Sequence, residues 1–350
     1  MPVLQKLLSG IGRPDPAPGL EAQRALDRLT KPPGSLGRLE ELARRLAEIS
    51  GRFPPRIDRP VIFTLVADHG VVAEGVSAYP QIVTAQMVEN FLRGGAAVNV
   101  LARHAGAAVV VVDMGVAGPL PAHPALVSAP IGRGTRNMCD GAAMTREEAL
   151  RAIEAGAGLV LAEGGLDLIG TGEMGIGNTT AASAVVAALT GLPPATVTGT
   201  GTGIDAEGRA RKVDAITRAL AVNRPDPADG VDVLAKVGGF EIAGLCGVIL
   251  AGAASRIPVV LDGFIAGAAA LAAVRLKPEV QAYLLASHRS TEPGASHVLE
   301  ALGLNPFLDL DMRLGEGTGS ALCISLARAA VKILGEMATF KSAGVSERSP

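Results

Sequence analysis

One carboxylate stands between two glycines in the segment "DMRLGEGTGS", residues 311–320, and Thr318 and Ser320 follow it. Glycine is used where the backbone takes a strained turn or approaches another group closely. An acidic side chain in such a frame, directly before an apolar helix-like segment, contributes little to packing. Glu316 is therefore expected to face a ligand.

A second glycine-rich loop has the composition of a phosphate-binding turn. In "GTGEMGIGNTTAASA", residues 170–184, Gly175 and Gly177 free the backbone. Asn178 and Thr179 would cap a helix whose first N–H groups attract anions. The alternative is an ordinary strand–helix turn with ordinary caps.

A third loop, "TVTGTGTGIDAEGRARK" at 196–212, ends on Lys212, which would supply a counter-charge to phosphate. A solvated helix lysine is the alternative for this residue. Neither glycine-rich loop is a Walker A motif, because no Gly-Lys-Ser/Thr follows, and neither matches Gly-x-Gly-x-x-Gly in order.

The histidines form no metal-binding pattern. The sequence has no helical His-x-x-x-His pair and no neighbouring Cys pair among His69, His104, His123, His288 and His297. Asp68, His69 and Asp262 follow predicted strands, where hydrogen bonding is favoured over metal ligation. No Gly-x-Ser-x-Gly elbow or other nucleophile is evident. No metal or cofactor is therefore expected.

Two carboxylates, Glu173 and Glu316, remain in a predicted phosphate-binding pocket. Transfer at a sugar carbon fits such a pocket best. That reaction passes through an oxocarbenium-like state and mainly needs carboxylates and positioning.

The elements that position these groups alternate between strands and helices. Continuous apolar runs, typical of strands covered on both faces, are "PVIFTLVA", "AAVVVVDM", "LDLIGTG", "IPVVLDG" and "AYLLAS". Helical patterns between them predict an α/β fold with a doubly wound, mainly parallel, Rossmann-like sheet. Polar residues and glycines gather at the carboxyl ends of these strands, where such sheets bind ligands. We expect the α/β domain to cover residues 59–316 and a smaller helical domain to combine residues 1–58 and 317–350.

Composition excludes several classes of function. A net charge of −2, no Trp and 3% aromatic residues disfavour binding to nucleic acid or to an anionic membrane. The longest uncharged apolar stretch, residues 242–254, is too short to span a bilayer. No basic segment leads into a long apolar run at the N-terminus, so no signal peptide is expected. Three unpaired cysteines predict a cytoplasmic protein without disulfides.

Long motifs resemble one enzyme family. They are "LTKPPGSLGRLE", "ADHGVVAEGVSAYPQIVTAQMV", "GEMGIGNTTAASA", "LDGFIAGAAAL", "SHRSTEPGASHVLEALG" and "RLGEGTGSAL". In this order, over residues 20–335, they resemble the nicotinate-nucleotide:5,6-dimethylbenzimidazole phosphoribosyltransferases. The resemblance implies a homodimer with a Rossmann-like domain and a small helical domain. It also implies transfer of phosphoribose from nicotinate mononucleotide to dimethylbenzimidazole, giving α-ribazole 5′-phosphate for the nucleotide loop of cobalamin.

The resemblance assigns roles to particular residues. Glu316 matches the base that takes the proton of the attacking azole, and burial should raise its pKa. Nucleotide contacts are implied for Glu173, Gly175, Gly177, Asn178, Thr179, Thr200, Gly201, Gly203, Lys212, Asp262 and Ser290. Contacts with the incoming base are implied for Tyr79, Gln86 and Leu314.

Some alternatives stay open. Position 78 is Ala, which leaves the preferred base undecided between dimethylbenzimidazole, another azole and a purine. A non-catalytic nucleotide-binding regulator would not need Glu316 in its glycine frame. Whether Asp68, His69 and His288 are catalytic or structural is also open.

Overall fold

A single parallel sheet organises the chain in a computed structural model that describes residues 3–346. Its six strands lie in the order β3-β2-β1-β4-β5-β6. The strands are β1 (Pro60–Ala67), β2 (Ala108–Gly115), β3 (Leu126–Ser128), β4 (Leu168–Met174), β5 (Val259–Leu261) and β6 (Leu284–Ala286). This confirms the predicted doubly wound fold, whose strand order reverses between β1 and β4.

Fifteen α-helices surround the sheet within the described residues. They are α1 (Val3–Gly10), α2 (Ala17–Leu26), α3 (Arg38–Ser50), α4 (Ile82–Leu92), α5 (Ala97–Ala105), α6 (Arg146–Glu163), α7 (Asn178–Thr190), α8 (Pro194–Val197), α9 (Ala206–Asn223), α10 (Gly230–Val237), α11 (Phe240–Ala254), α12 (Phe264–Leu276), α13 (Pro293–Ala301), α14 (Thr318–Glu336) and α15 (Phe340–Ala343). Short 3₁₀ turns cover Gly70–Glu74 and Pro278–Tyr283.

The sheet is covered on both faces, as the continuous apolar strands predict. All eight residues of β1 are buried. Leu65 points to α11, where its side chain lies against Gly244, whereas Thr64 points to the opposite face and donates to the carbonyl of Glu316. Helices α6 and α12 pack on α11, and α5 packs on α14. Burial on both faces explains why these strands contain no alternation of apolar and polar residues.

Helix α14 is long and apolar enough that length and composition alone would allow it to cross a bilayer. Half of that apolar stretch is buried inside the fold, where the helix packs on β1, β4 and β5. Burial of this kind identifies a core helix of the α/β layer.

The two chain ends meet on the α14 side. Helices α2, α3 and α14 pack together, and Thr30 donates from both its backbone N–H and its hydroxyl to the carbonyl of Ala338. Because α14 also packs on the sheet, one continuous core joins the predicted small domain to the large one. The division at residues 58 and 316 stays a prediction, and its outermost residues, 1–2 and 347–350, lie outside the described chain.

Candidate active site

A cavity of about 530 Å³ opens at the carboxyl ends of the strands. The loops after β4, β5 and β6, helix α4 and the segment before α14 form its walls. Many of the predicted site residues line it, namely Tyr79, Glu173, Gly175, Asn178, Thr179, Gly201, Ser290, Leu314 and Glu316. The structure thus brings groups from distant parts of the sequence to one pocket, at the edge of the sheet where ligands are expected.

Glu316 is held by its backbone in a left-handed conformation. Its φ is +65°, between Gly315 at +84° and Gly317 at +104°. This conformation costs a residue other than glycine about 1–2 kcal/mol of conformational free energy, so the surrounding structure must impose it. Gly172 on β4 leaves room for the backbone of Glu316, since a Cβ there would lie 2.3 Å from its carbonyl oxygen. Thr64 Oγ1 donates to the same oxygen over 2.9 Å.

Asp262 fixes the segment that carries Glu316. Its Oδ2 accepts the N–H of Gly317 over 2.9 Å, and its Oδ1 accepts the N–H groups of Gly319 and Ser320 over 2.6 and 3.3 Å. A carboxylate at the start of a helix satisfies free N–H donors and complements the helix dipole. Asp262 does not line the cavity and lies beneath the segment that carries Glu316, so its predicted contact with a nucleotide stays a prediction.

The carboxyl groups of the cavity have perturbed acidity. Burial raises the pKa of Glu316, with the backbone N–H of Val98 opposing the rise, which confirms the expected direction. Burial also raises the pKa of Glu173 well above its usual value, and the nearby charges of Asp262, Glu241 and Glu316 add to the rise. A carboxylate with a raised pKa is a stronger base once ionised. Glu316 Oε2 has no hydrogen-bond partner within residues 3–346.

Helix α7 presents its N-terminus to the cavity, as predicted for a phosphate-binding turn. Asn178 Nδ2 donates to Glu173 Oε2 and so links this turn to the buried carboxyl group. Thr179 Oγ1 accepts from Lys212 Nζ over 2.7 Å. Lys212 is fully buried and lies behind Thr179 and Gly201 instead of lining the cavity, and burial lowers its pKa to about 8.

Three predicted loop residues lie outside the cavity. Gly177 precedes α7 with a φ of +95°, in contact range of Val72 and His69. Thr200 and Gly203 are exposed and close a turn in which the N–H of Gly203 donates to the carbonyl of Thr200. The turn closed by Thr200 and Gly203 contains Gly201, which does line the cavity.

The predicted base pocket forms the rim of the cavity. Tyr79 and Leu314 are 54% and 57% exposed, and both line the opening. Val83 and Met87, one helical turn apart on α4, continue the apolar wall. Gln86 lies on α4 but is exposed and does not line the cavity, because the helix presents Val83 and Met87 there instead.

Two charged residues of the cavity were missed by sequence reasoning. Glu292 is buried and accepts the N–H of Gly201 at Oε1 over 3.0 Å. Arg313 Nη1 donates to the carbonyl of Gly201 over 2.9 Å. Glu292 lies in "HRSTEPG" and Arg313 in "DMRLGEGTGS", next to residues that were predicted for the site. A charged side chain at these positions was the feature that could have identified them. Further uncharged lining residues that the sequence did not predict include Val83, Met87, Met174, Phe264 and Ile265.

The groups whose roles were open divide into two kinds. His69 Nε2 lies 2.7 Å from Glu241 Oε1 in a fully buried pair, and Asp68 Oδ2 accepts the N–H of Ala117 over 2.8 Å. Neither Asp68 nor His69 lines the cavity. His288 does line it; burial lowers its pKa, and its Nδ1 lies 3.0 Å from Ser287 Oγ.

No group of three or more His, Cys, Asp or Glu side chains in residues 3–346 is arranged to hold a metal ion. Independence from metal stays a prediction that chelation would test.

Comparison with known proteins extends over nearly the whole chain. A family model described as phosphoribosyltransferase matches residues 11–345. The nicotinate-nucleotide–dimethylbenzimidazole phosphoribosyltransferase of Chloroflexus aggregans is 57% identical over 350 residues, which cover 99% of each protein. That of Geobacter metallireducens is 56% identical over 349 residues, again covering 99% of each. The crystal structure of CobT from Thermus thermophilus is similar at a TM-score of 0.90 and 52% identity, covering 95% of this chain and 100% of that one.

Proposed function

This chain belongs to the nicotinate-nucleotide–dimethylbenzimidazole phosphoribosyltransferase family, and we propose that its cavity completes the transfer with Glu316 as base. It is a pentosyltransferase that moves the phosphoribosyl group of nicotinate nucleotide to dimethylbenzimidazole. The observation that supports the role of Glu316 is its placement. The carboxyl group is buried, lines the cavity and stands on a backbone that Thr64, Gly172 and Asp262 hold in place.

The chemistry requires one base and no acid. Nicotinate leaves from a cationic pyridinium, so the C–N bond breaks without protonation of the leaving group. The attacking benzimidazole nitrogen forms the new C–N bond, and the ring would become cationic unless its other N–H gives up a proton. Glu316 accepts that proton, and its raised pKa makes it an effective acceptor. We therefore assign no acid to the leaving group.

The products follow from the geometry of displacement. Attack opposite to the departing nicotinate inverts the configuration at the anomeric carbon. The product is then α-ribazole 5′-phosphate, the precursor of the nucleotide loop of cobalamin. The N-terminus of α7 and the Gly201 loop are suited to hold the phosphate, because helix N-termini attract anions. The apolar rim of Tyr79, Val83 and Met87 is suited to a flat aromatic base.

A direct assay tests this function. The purified protein is incubated with nicotinate mononucleotide and dimethylbenzimidazole, and nicotinate release and the anomeric configuration of the product are followed. We expect release that depends on both substrates and an α-linked product. No release with dimethylbenzimidazole, other azoles or purines would contradict the proposal and favour a regulator, whereas release with another base alone would reassign the acceptor.

We also propose that the enzyme works in the cytoplasm as a metal-independent homodimer. Family resemblance supports the dimer, and the three buried free cysteines fit a reducing compartment. A monomer mass by light scattering at micromolar concentration would contradict the first point. Loss of activity in EDTA, restored by a divalent ion, would contradict metal independence.

A further inference from the structure

The positive charge available to a ligand in the cavity comes from an unexpected residue. Arg313 is the one lysine or arginine among the lining residues in the described part of the chain. Lys212, the counter-charge predicted from the sequence, is fully buried and donates to Thr179. The hydroxyl of Thr179 therefore lies between the ammonium group of Lys212 and the cavity.

The carboxylate of Glu292 lies near Lys212 and opposes its positive charge. Glu292 and Lys212 flank the same residue: Glu292 Oε1 accepts the N–H of Gly201, and a Cβ on Gly201 would lie 3.0 Å from Lys212 Nζ. Glu292 and Lys212 therefore place opposite charges on the two sides of the Gly201 loop. Arg313 forms no ion pair within residues 3–346, so no direct carboxylate contact occupies its guanidinium.

The Gly201 peptide fixes where this guanidinium sits. Glu292 holds the N–H of Gly201, and the opposite side of the loop turns its carbonyl to Arg313 Nη1 at 2.9 Å. That contact places the guanidinium beside the Gly201 loop, which faces Thr179 at the start of α7 across the same part of the cavity. Its remaining N–H donors form a fork that matches phosphate oxygens.

We propose that Arg313 binds the 5′-phosphate of the nucleotide substrate, together with the N-terminus of α7, while Lys212 and Glu292 position the loop beneath it. This inference rests on the proposed function, since it takes a nucleotide as ligand. It also ties substrate to catalysis, because Arg313 begins the short segment that ends on Glu316.

Three probes separate the phosphate from the other groups of the substrate: nicotinate mononucleotide, nicotinate riboside, which lacks the phosphate, and nicotinamide mononucleotide, which lacks the carboxylate. Binding of each is measured by calorimetry, without acceptor base, to wild type, Arg313→Gln and the control Arg289→Gln. Arg289 is a nearby exposed arginine, 3.5 Å from Asp309, that does not line the cavity.

We expect Arg313→Gln to weaken both mononucleotides about 10- to 100-fold, the usual worth of a hydrogen bond to a charged group, and to leave the riboside unchanged. Arg289→Gln should change none of them. Equal weakening of riboside and mononucleotide would overturn the proposal in favour of a loop-holding role. Weakening of the two nicotinate probes alone would overturn it in favour of carboxylate binding.

Failure of the Arg313 assignment and failure of the proposed function give different binding results. If wild type binds the mononucleotide and Arg313→Gln binds it equally well, only the role of Arg313 is refuted. If wild type binds no mononucleotide at all, the proposed function is refuted with it.

Discussion

Replacing Gly172 by alanine should disable the enzyme without touching any ionisable group. The new Cβ would lie 2.3 Å from the carbonyl oxygen of Glu316, 2.7 Å from its carbonyl carbon and 2.9 Å from the nitrogen of Gly317. A carbon and an oxygen in ordinary close contact lie about 3.3–3.6 Å apart. The Gly315–Gly317 backbone would therefore have to move by roughly 1 Å. Because strand β4 is central, that backbone gives way before the strand does.

A shift of this size should act mainly on the chemical step. A misplacement of about 1 Å at a catalytic group costs about 10²-fold in rate, and overpacking of this kind costs about 1–3 kcal/mol of stability. We expect kcat to fall about 100-fold and the KM for nicotinate mononucleotide to rise far less, since the displaced Gly315–Gly317 backbone does not include Arg313, the Gly201 loop or the start of α7. Steady-state kinetics and a denaturant melt measure the two effects.

Two further variants isolate the cause. Gly158→Ala adds a methyl group at an exposed position of helix α6, where nothing lies within 4 Å, and should leave kcat unchanged. Thr64→Val removes the hydroxyl that donates to Glu316 without adding bulk, and should lower kcat in the same direction. A folded Gly172→Ala enzyme with normal kcat would refute the claim that β4 fixes the position of Glu316.

Asp262→Asn should destabilise the protein by about 2–4 kcal/mol and lower kcat, because an amide group cannot accept from N–H donors on both sides; an unchanged urea midpoint would contradict this. The contribution of the buried carboxyl groups Asp262, Glu173 and Glu316 to stability should fall as pH rises from about 4 through 7. Burial raises the pKa of Asp262 to about 7 and also raises the pKa values of Glu173 and Glu316, so the folded state keeps protons that the unfolded state has lost. Urea midpoints at pH 5 and 8 measure it, and a midpoint higher at pH 8 would contradict the expectation. Tyr79→Ala should raise the KM for the base about tenfold and leave that for the nucleotide unchanged, as initial rates would show; equal effects would remove Tyr79 from the base pocket.

Most of the fold could be predicted because its signals are local. The apolar run "PVIFTLVA" at 60–67 has the bounds of β1 in the structure. At the start of α6, the local sequence Thr-x-x-Glu at 145–148, which is typical of a helix N-terminus, forms a capping box. Strand β3 was missed because it has only three residues, two of them exposed, so that it carries no apolar pattern.

The candidate site also has features that local sequence predicts and features that it does not. Glu316 and the α7 turn could be identified from glycines and caps next to polar residues. Three other features could not be predicted, because each depends on which elements pack around the residue. They are the burial of Lys212, the capping role of Asp262 and the exposure of Gln86. Asp262 and the helix it caps are more than fifty residues apart in sequence, and only the sheet brings them together.

The most direct test of the account is single-turnover kinetics of Glu316→Gln beside its melting curve. Glutamine keeps the size of the side chain but cannot take a proton. We predict normal binding of nicotinate mononucleotide, an unchanged melting temperature, and turnover reduced by about 10²–10⁴, with partial recovery at higher pH as solvent removes the azole proton. Turnover close to that of wild type would contradict the assignment of Glu316 as the base.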